Sequence, residues 1–258
     1  MLYNVFFSAK GRTGICASFV AGLLANEAES YNWLWEEYRK PLKMTEADTL
    51  LLAMPVYGGY IPKFCAELVK NLAGNNTPAI IMAVYGNRHF DNALIQAKDL
   101  LQAQGFNVIA AGAFVAEHSI FPKVGFGRPN VDDYKAMEAF AEKCKELLKR
   151  RDCLPNKEIT VYGDKKYDAS TFKGVPFYPD GDDTCISCMK CVADCPVQAI
   201  DAADPSKTDA AKCIACGSCI CVCPVGARDY HSGLYKKAQA GFEERCKKPM
   251  PAFTYYLE

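Results

Sequence analysis

The chain has 258 residues, half of them hydrophobic, and 30 Lys and Arg balance 30 Asp and Glu. A neutral total without a Lys/Arg run argues against a general nucleic-acid binder, and no apolar stretch reaches the length of a membrane span. The length suits one domain of about 150 residues and a smaller one.

Residues 2–7, Leu-Tyr-Asn-Val-Phe-Phe, read as a buried strand. The loop Ser8-Ala-Lys10-Gly11-Arg12-Thr13-Gly14 follows, and 15–28 predicts an amphipathic helix. A strand, a Gly-bearing loop and a helix N-terminus form an anion site from backbone N–H groups and the helix dipole. Many such turns hold no ligand, so the loop alone does not decide the matter. An edge strand is expected within 29–36, around Trp33 and Trp35. A second hydrophobic strand over 48–54 ends in Pro55-Val-Tyr57-Gly58-Gly59-Tyr60. Next come a helix near 63–73, a strand at 79–85 and the loop Tyr85-Gly86-Asn87-Arg88-His89. A helix over 92–104 leads to a strand at 107–115. Val131 to Arg151 then reads as a helix, with Ala136, Phe140, Cys144, Leu147 and Leu148 at helical spacing. Strands alternating with helices predict a doubly wound α/β parallel sheet with its ligand at the C-terminal strand ends.

Residues 154–180 carry Pro155, Gly163, Gly174, Pro176 and Pro179 and no long periodic run, so they read as a linker, with Ile159-Thr-Val-Tyr162 able to add a short strand. Residues 180–230 hold eight Asp against four Lys/Arg, an acidic balance that suits a basic redox partner. After 230 the chain turns basic and ends in aromatics, Phe253-Thr-Tyr-Tyr-Leu257. A tail of this kind is expected to pack back onto one of the domains.

Two cysteine runs carry the sharpest signal. Cys185, Cys188, Cys191 and Cys195 precede Pro196 with C-x2-C-x2-C-x3-C-P spacing, and Cys213, Cys216, Cys219 and Cys223 precede Pro224 in the same way. Soft thiolates at this spacing suit iron–sulfur clusters, while two structural zinc sites are the competing reading. Aligning 185–201 with 213–229 matches nine residue identities, which implies two pseudo-symmetric halves. Cys221 falls opposite Ala193 and reads as a small buried packing residue. Cys16, Cys65, Cys144, Cys153 and Cys246 are scattered. A thiol-rich chain of this kind points to a reducing compartment, the cytoplasm.

The two runs resemble a bacterial-type ferredoxin with two [4Fe–4S] clusters. In that family the fourth Cys of each run ligates the other cluster. The resemblance therefore implies one cluster on Cys185, Cys188, Cys191 and Cys223, and another on Cys213, Cys216, Cys219 and Cys195. The three strand-end loops resemble those of the flavodoxin-like domain, and the whole chain is similar to flavodoxin–ferredoxin fusions of anaerobic prokaryotes. That likeness implies a five-stranded parallel sheet of order 2-1-3-4-5 over 1–153, a linker over 154–180, a ferredoxin domain over 181–230 and a tail over 231–258.

The resemblance further implies FMN, with its phosphate on the first loop. Ser8, Gly11 and Thr13 match the family pattern, while Lys10 and Arg12 replace neutral hydrogen-bonding residues with cations. Pro55, Tyr57, Gly58 and Gly59, together with Tyr85, Gly86, Asn87 and Arg88, are expected to flank the flavin ring. Tyr57 and Tyr85 are the aromatic candidates for its face. Glu117-His118-Ser119 matches a family segment, and His118 reads as a hydrogen-bonded loop histidine or a pocket residue.

The function implied is electron transfer between FMN, two clusters and a protein partner. The alternatives are an FMN-dependent reductase of a small molecule, and a ferredoxin module with a degenerate flavin site. No G-x-G-x-x-G fingerprint supports direct use of a nicotinamide dinucleotide.

Overall fold

A computed structural model of the chain describes residues 1–151 and 158–258. Cys153, Pro155 and the expected boundary between 153 and 154 lie outside the described residues. The first part runs β1 (Leu2–Phe6), α1 (Arg12–Leu24), β2 (Ala28–Asn32), β3 (Leu42–Lys43), β4 (Thr49–Pro55), α2 (Lys63–Val69), β5 (Leu72–Ala73), β6 (Thr77–Tyr85), α3 (Ala93–Ala103), β7 (Phe106–Val115) and α4 (Val131–Lys149). Then follow β8 (Asp180–Gly181), α5 (Lys190–Ala193), α6 (Ser218–Val222), β9 (Arg228–Asp229), α7 (Gly233–Arg245) and β10 (Phe253–Tyr256).

The main sheet has the order β10-β7-β6-β4-β1-β2. Its strands from β2 to β7 pair in parallel, and in chain sequence they follow 2-1-3-4-5, the flavodoxin-like order. β4 and β6 are near-continuous apolar runs because helices cover both faces of a parallel sheet; every residue of β6 is buried. The chain steps one way from β1 to β2 and the other way through β4, β6 and β7. Right-handed crossovers then put α1 on one face and α2 and α3 on the other. α4 returns beside α1, where Phe19 and Tyr134 meet edge to face at 4.8 Å. The reversal between β1 and β4 leaves a crevice at the strand ends, which is where ligands enter such sheets.

The sequence predicts five strands and the sheet has six. β10 adds antiparallel to β7, with Phe253 opposite Ala113 and Tyr256 opposite Ala110. An uncovered β7 would present unpaired backbone groups at a sheet edge, and the tail closes that edge. The edge strand expected within 29–36 ends at Asn32, so Trp33 enters the core while Trp35 stays exposed. Residues 159–162 form no strand; Ile159 instead plugs into the core. α1 starts earlier than expected because Gly11 at φ 79° takes the left-handed cap position, which other residues adopt at a cost.

The cysteine-rich part keeps the repeat in its backbone. Ser187, Met189 and Gln198 sit at φ 53°, 65° and 50°, and their repeat partners Ala215, Gly217 and Gly226 at 52°, 77° and 71°. A second apolar cluster welds this part to the α/β part. Phe121 and Val124 after β7 pack with Phe177, Ala215, Tyr230 and Cys246, and with Tyr235 and Phe242 of α7. Tyr235 stacks on Tyr230 at 4.8 Å and donates its hydroxyl to Ile120 O at 3.0 Å. The segment read as a linker straps the two parts at points, while most of its described residues stay exposed: Phe177 joins this cluster and Phe172 lies against Gly58.

Candidate redox site

The reversal of strand order opens a crevice at the C-terminal strand ends. Four strand-end segments line it: Ser8–Thr13 without Gly11, Pro55–Tyr57, Val84–Gly86 and Ala116–Ser119. The last lining residue is Cys216, from the cysteine-rich part.

The first loop is shaped for an anion. Ser8 Oγ accepts a hydrogen bond from Gly14 N–H at 2.9 Å, which folds the loop over the start of α1. The first N–H groups of a helix have no acceptor within it. Ser8 and Thr13 are both buried against this end. The two cations have partners across the cavity: Arg12 pairs with Glu117 at 3.0 Å, and Lys10 Nζ donates to Ser119 O at 3.1 Å. Arg12 is thereby neutralised, and Lys10 keeps the net positive charge at the loop.

Of the residues expected around a flavin, the structure brings Ser8, Lys10, Arg12, Thr13, Pro55, Tyr57, Tyr85 and Gly86 to this cavity. Gly11, Gly58, Gly59, Asn87 and Arg88 are not among its walls. A Cβ on Gly58 would collide with Phe172, and one on Gly59 would meet Asp91, so those glycines serve packing of the strap and the 88–91 loop. Asn87 is buried and holds the C-terminal tail, while Arg88 pairs with Asp91. Tyr85 is buried too and donates its hydroxyl to Pro251 O at 2.6 Å. Tyr57 is left as the aromatic wall, and burial pushes its phenol well above the usual value, with Cys216, Cys65 and Tyr230 adding to the shift.

The role of His118 shows only in the folded chain. Its Nδ1 accepts from the N–H groups of Ile120 and Phe121, both at 3.1 Å. An Nδ1 acceptor fixes the neutral tautomer with the proton on Nε2. Burial, then the charges of Arg88 and Lys10, lower its pKa to about 4. The ring lies over Gly86, stacks on Phe121 at 5.2 Å and meets Phe242 at 5.0 Å. Spacing alone could not show this partnership, because Phe242 lies far along the chain.

Beside this crevice lies a second, smaller cavity, lined by Cys195, Cys213, Cys216 and Cys219 with Pro179, Thr208 and Ser218 among others. The fold therefore brings the last Cys of the first run to the first three of the second. Burial raises the Cys216 thiol, Ser218 N–H opposes this, and Cys219, Cys213 and Cys195 raise it further. In the other set, burial raises the Cys191 thiol, Arg228 opposes it and Cys185 adds to it. Burial also works against a thiolate at Cys223, but the N–H groups of Arg228, Val225, Ala227 and Gly226 outweigh it and lower its pKa. Among the described residues, no three His, Cys, Asp or Glu side chains converge on a point fit for one ion. Four thiols around one cavity, drawn from two C-x2-C-x2-C-x3-C-P runs, suit iron–sulfur chemistry. Cys221, expected to be buried, is exposed, because α6 turns it away from its neighbours Cys216 and Cys219.

Residues 184–227 match the family described as the 4Fe-4S dicluster domain, so this part of the chain is a two-cluster iron–sulfur domain. No curated protein matches the chain. Among solved structures, the chain is similar to the rubredoxin oxygen:oxidoreductase of Desulfovibrio gigas at 11% identity and TM-score 0.44, over 59% of this chain and 37% of that one. It thus spans well under half of that protein. It is also similar to a flavodoxin of Streptococcus pneumonia TIGR4 at 19% identity and TM-score 0.38, over 55% of this chain and 94% of that one. A flavodoxin from the domain Archaea gives 14% identity and TM-score 0.39, over 58% of this chain and 99% of that one.

Proposed function

We propose that the protein is an electron carrier in which FMN, held in the strand-end cavity, exchanges electrons with two [4Fe–4S] clusters, and these with a protein partner. The observation that carries this reading is Cys216, whose side chain lines the crevice and the cysteine cavity alike. A cluster held there shares a one-residue wall with whatever occupies the crevice. When bound, FMN supplies a two-electron, two-proton couple and each cluster a one-electron couple, so one reduced flavin balances one electron in each cluster.

The residues of the chain take the following parts. Cys213, Cys216, Cys219 and Cys195 hold the cluster next to the crevice; their shared cavity supports this set. Cys185, Cys188, Cys191 and Cys223 hold the other, by the pseudo-symmetry of the repeat. Ser8, Thr13 and the free N–H groups at the start of α1 receive the phosphate, with Lys10 as its countercharge. Tyr57 and the backbone at Pro55 and Gly86 bound the ring. Asn87, Gly58 and Gly59 act behind this wall, through the tail and the strap. The units are those of the sequence: 1–153, 154–180, 181–230 and 231–258.

The partner meets the outer cluster. Cys188 is exposed, and its chain neighbours Ile186 and Met189 are 60% and 40% exposed; Val225, just after Cys223, is 46% exposed. Asp182, Asp183 and Asp194 lie in the same segment, so the matching face is apolar with a basic rim. Among the described residues no helix is long and apolar enough to cross a membrane. A thiol-rich carrier of this type suits a reducing cytoplasm.

The test is photoreduction of the flavin in anaerobically purified protein, with the cluster signal followed in time. The rate of cluster reduction is expected to stay constant across a hundredfold range of protein concentration. A rate that scales with concentration would place transfer between molecules. No cluster reduction under driving conditions would overturn the reading.

A further inference from the structure

The repeat pairs every position from Cys213 to Asp229 with one in the first run, and among the pairs buried in both halves one sets a charge against a hydrocarbon. Ile200 is paired with Arg228, and both are buried, at 7% and 2% exposure. A full charge thus stands where the symmetric half has a hydrocarbon.

Arg228 sits on β9 opposite Gly181 of β8. Its Nη1 donates to Pro205 O at 2.5 Å, and its Nη2 donates to Pro179 O at 2.8 Å and to the Thr208 hydroxyl. These acceptors are all neutral, and Nε has none. Burying a guanidinium on neutral partners is costly unless a negative charge lies close by. The acceptors show where that charge is. Pro205 O also lies 3.9 Å from Cys191 Sγ. Pro179 and Thr208 line the cavity with Cys195, Cys213, Cys216 and Cys219. The guanidinium therefore bridges the walls of both cysteine sets.

We propose that Arg228 is the buried countercharge shared by the two iron–sulfur sites, raising the reduction potential of both and that of the Cys213 set the more. The inference rests on the ligand sets proposed above. Reduction adds an electron to a cluster, and a fixed cation in a low-dielectric interior stabilises the added charge with little screening. Charge and hydrogen bonds around the sulfurs are established levers on cluster potentials.

The experiment is an anaerobic potentiometric titration, read by electron paramagnetic resonance, on the full chain and on Arg228→Met and Arg228→Lys, with iron and sulfide counted in each. Arg228→Met should move both potentials to more negative values. For the Cys213 set the reduction equilibrium should fall by at least about tenfold, which is about 59 mV for a one-electron couple. Arg228→Lys, which keeps the charge but not the planar fork, should stay near the parent. A fully loaded Met variant with unmoved potentials overturns the proposal, as does a Lys variant that shifts as far as Met. If Met fails to load iron while Lys loads, charge is required at assembly and the proposal stands; equal failure of both means a packing role and overturns it. A parent chain without iron would defeat the cluster reading itself, and the proposal with it.

Discussion

The Asn87 carboxamide accepts a hydrogen bond from Met250 N–H at 2.8 Å and gives its own N–H bonds to Cys246 O at 2.8 Å and Lys248 O at 3.1 Å. One side chain at the end of β6 thus holds the tail from both sides, just before β10 joins the sheet. Asn87→Ala leaves three backbone groups without their partner, that of Cys246 in a buried place and the other two within reach of water. It should cost about 1–3 kcal/mol of stability, the penalty of one buried group left unpaired. FMN affinity should change less than twofold. Chemical unfolding and flavin titration on the same preparation separate the two effects.

That clamp also marks what sequence could and could not say. The alternation of apolar runs and helical segments gives β1, β4, β6 and β7 directly, because strands buried on both faces have no choice but continuous hydrocarbon. The cysteine spacing shows its chemistry just as plainly, since cluster ligands are set by local chain geometry. Tyr-Gly-Asn-Arg at 85–88 behaved differently. Its position at a strand end is correct, but Tyr85 and Asn87 turn toward Pro251 and Met250, which sit more than 150 residues away. A partner supplied by the tail leaves no trace in the loop itself. Arg228 is the opposite case: its oddity is visible beside Ile200 in the repeat, but only burial gives it meaning.

His118 should remain neutral through the physiological range. Its folded pKa of about 4 lies below the ordinary value of 6.5, chiefly because the ring is buried. The unfolded chain therefore binds a proton between these values that the folded chain refuses. The stability that depends on a neutral ring is fully present above pH 6.5 and is lost as pH falls toward 4. At pH 5 the loss should be about 1–2 kcal/mol, from 1.36 kcal/mol per pH unit. Unfolding of His118→Gln should lack this slope. In a ¹⁵N spectrum of the parent, Nε2 should carry the proton at pH 6; a doubly protonated ring there would contradict the assignment.

The phosphate loop predicts an asymmetry between its two cations. Lys10 carries the net charge at the loop, whereas Arg12 is already paired with Glu117. Helix-end charges are worth about 0.3–1 kcal/mol each, so Lys10→Ala should weaken FMN binding by about two- to fivefold. Arg12→Ala frees the Glu117 carboxylate beside the site and should do at least as much damage, which Arg12→Ala with Glu117→Gln should largely reverse. Fluorescence titration of the apoprotein gives these affinities. Riboflavin binding as tightly as FMN would remove the phosphate from this loop altogether.

Cys195 and Cys221 should part company in an iron assay. Cys195 shares its cavity with Cys213, Cys216 and Cys219, and Cys221 is exposed on the same domain. A two-cluster chain carries about eight irons. Cys195→Ala should lose up to about four of them, with the loss confined to the cluster beside the crevice, while Cys221→Ala should lose none.

Phe121 tests whether the docking of the two parts sets the rate of internal transfer. It stacks on Tyr235 at 5.5 Å, packs on Phe242 at 4.9 Å and flanks His118 at 5.2 Å, so it joins the crevice, the strap cluster and α7. None of these aromatic partners is a cluster ligand. Phe121→Ala should cost about 3–5 kcal/mol, the usual range for a buried aromatic. Most of that loss falls on the contact between the parts rather than on the sheet, because Phe121 belongs to the second apolar cluster and not to the main core. Iron and flavin contents should therefore stay at parental values while flavin-to-cluster transfer slows at least tenfold. Loss of the docked geometry would also let intermolecular encounters compete, so the rate should acquire a dependence on protein concentration that the parent lacks. Parental transfer kinetics in a stably loaded Phe121→Ala chain would mean that this aromatic cluster contributes to stability alone.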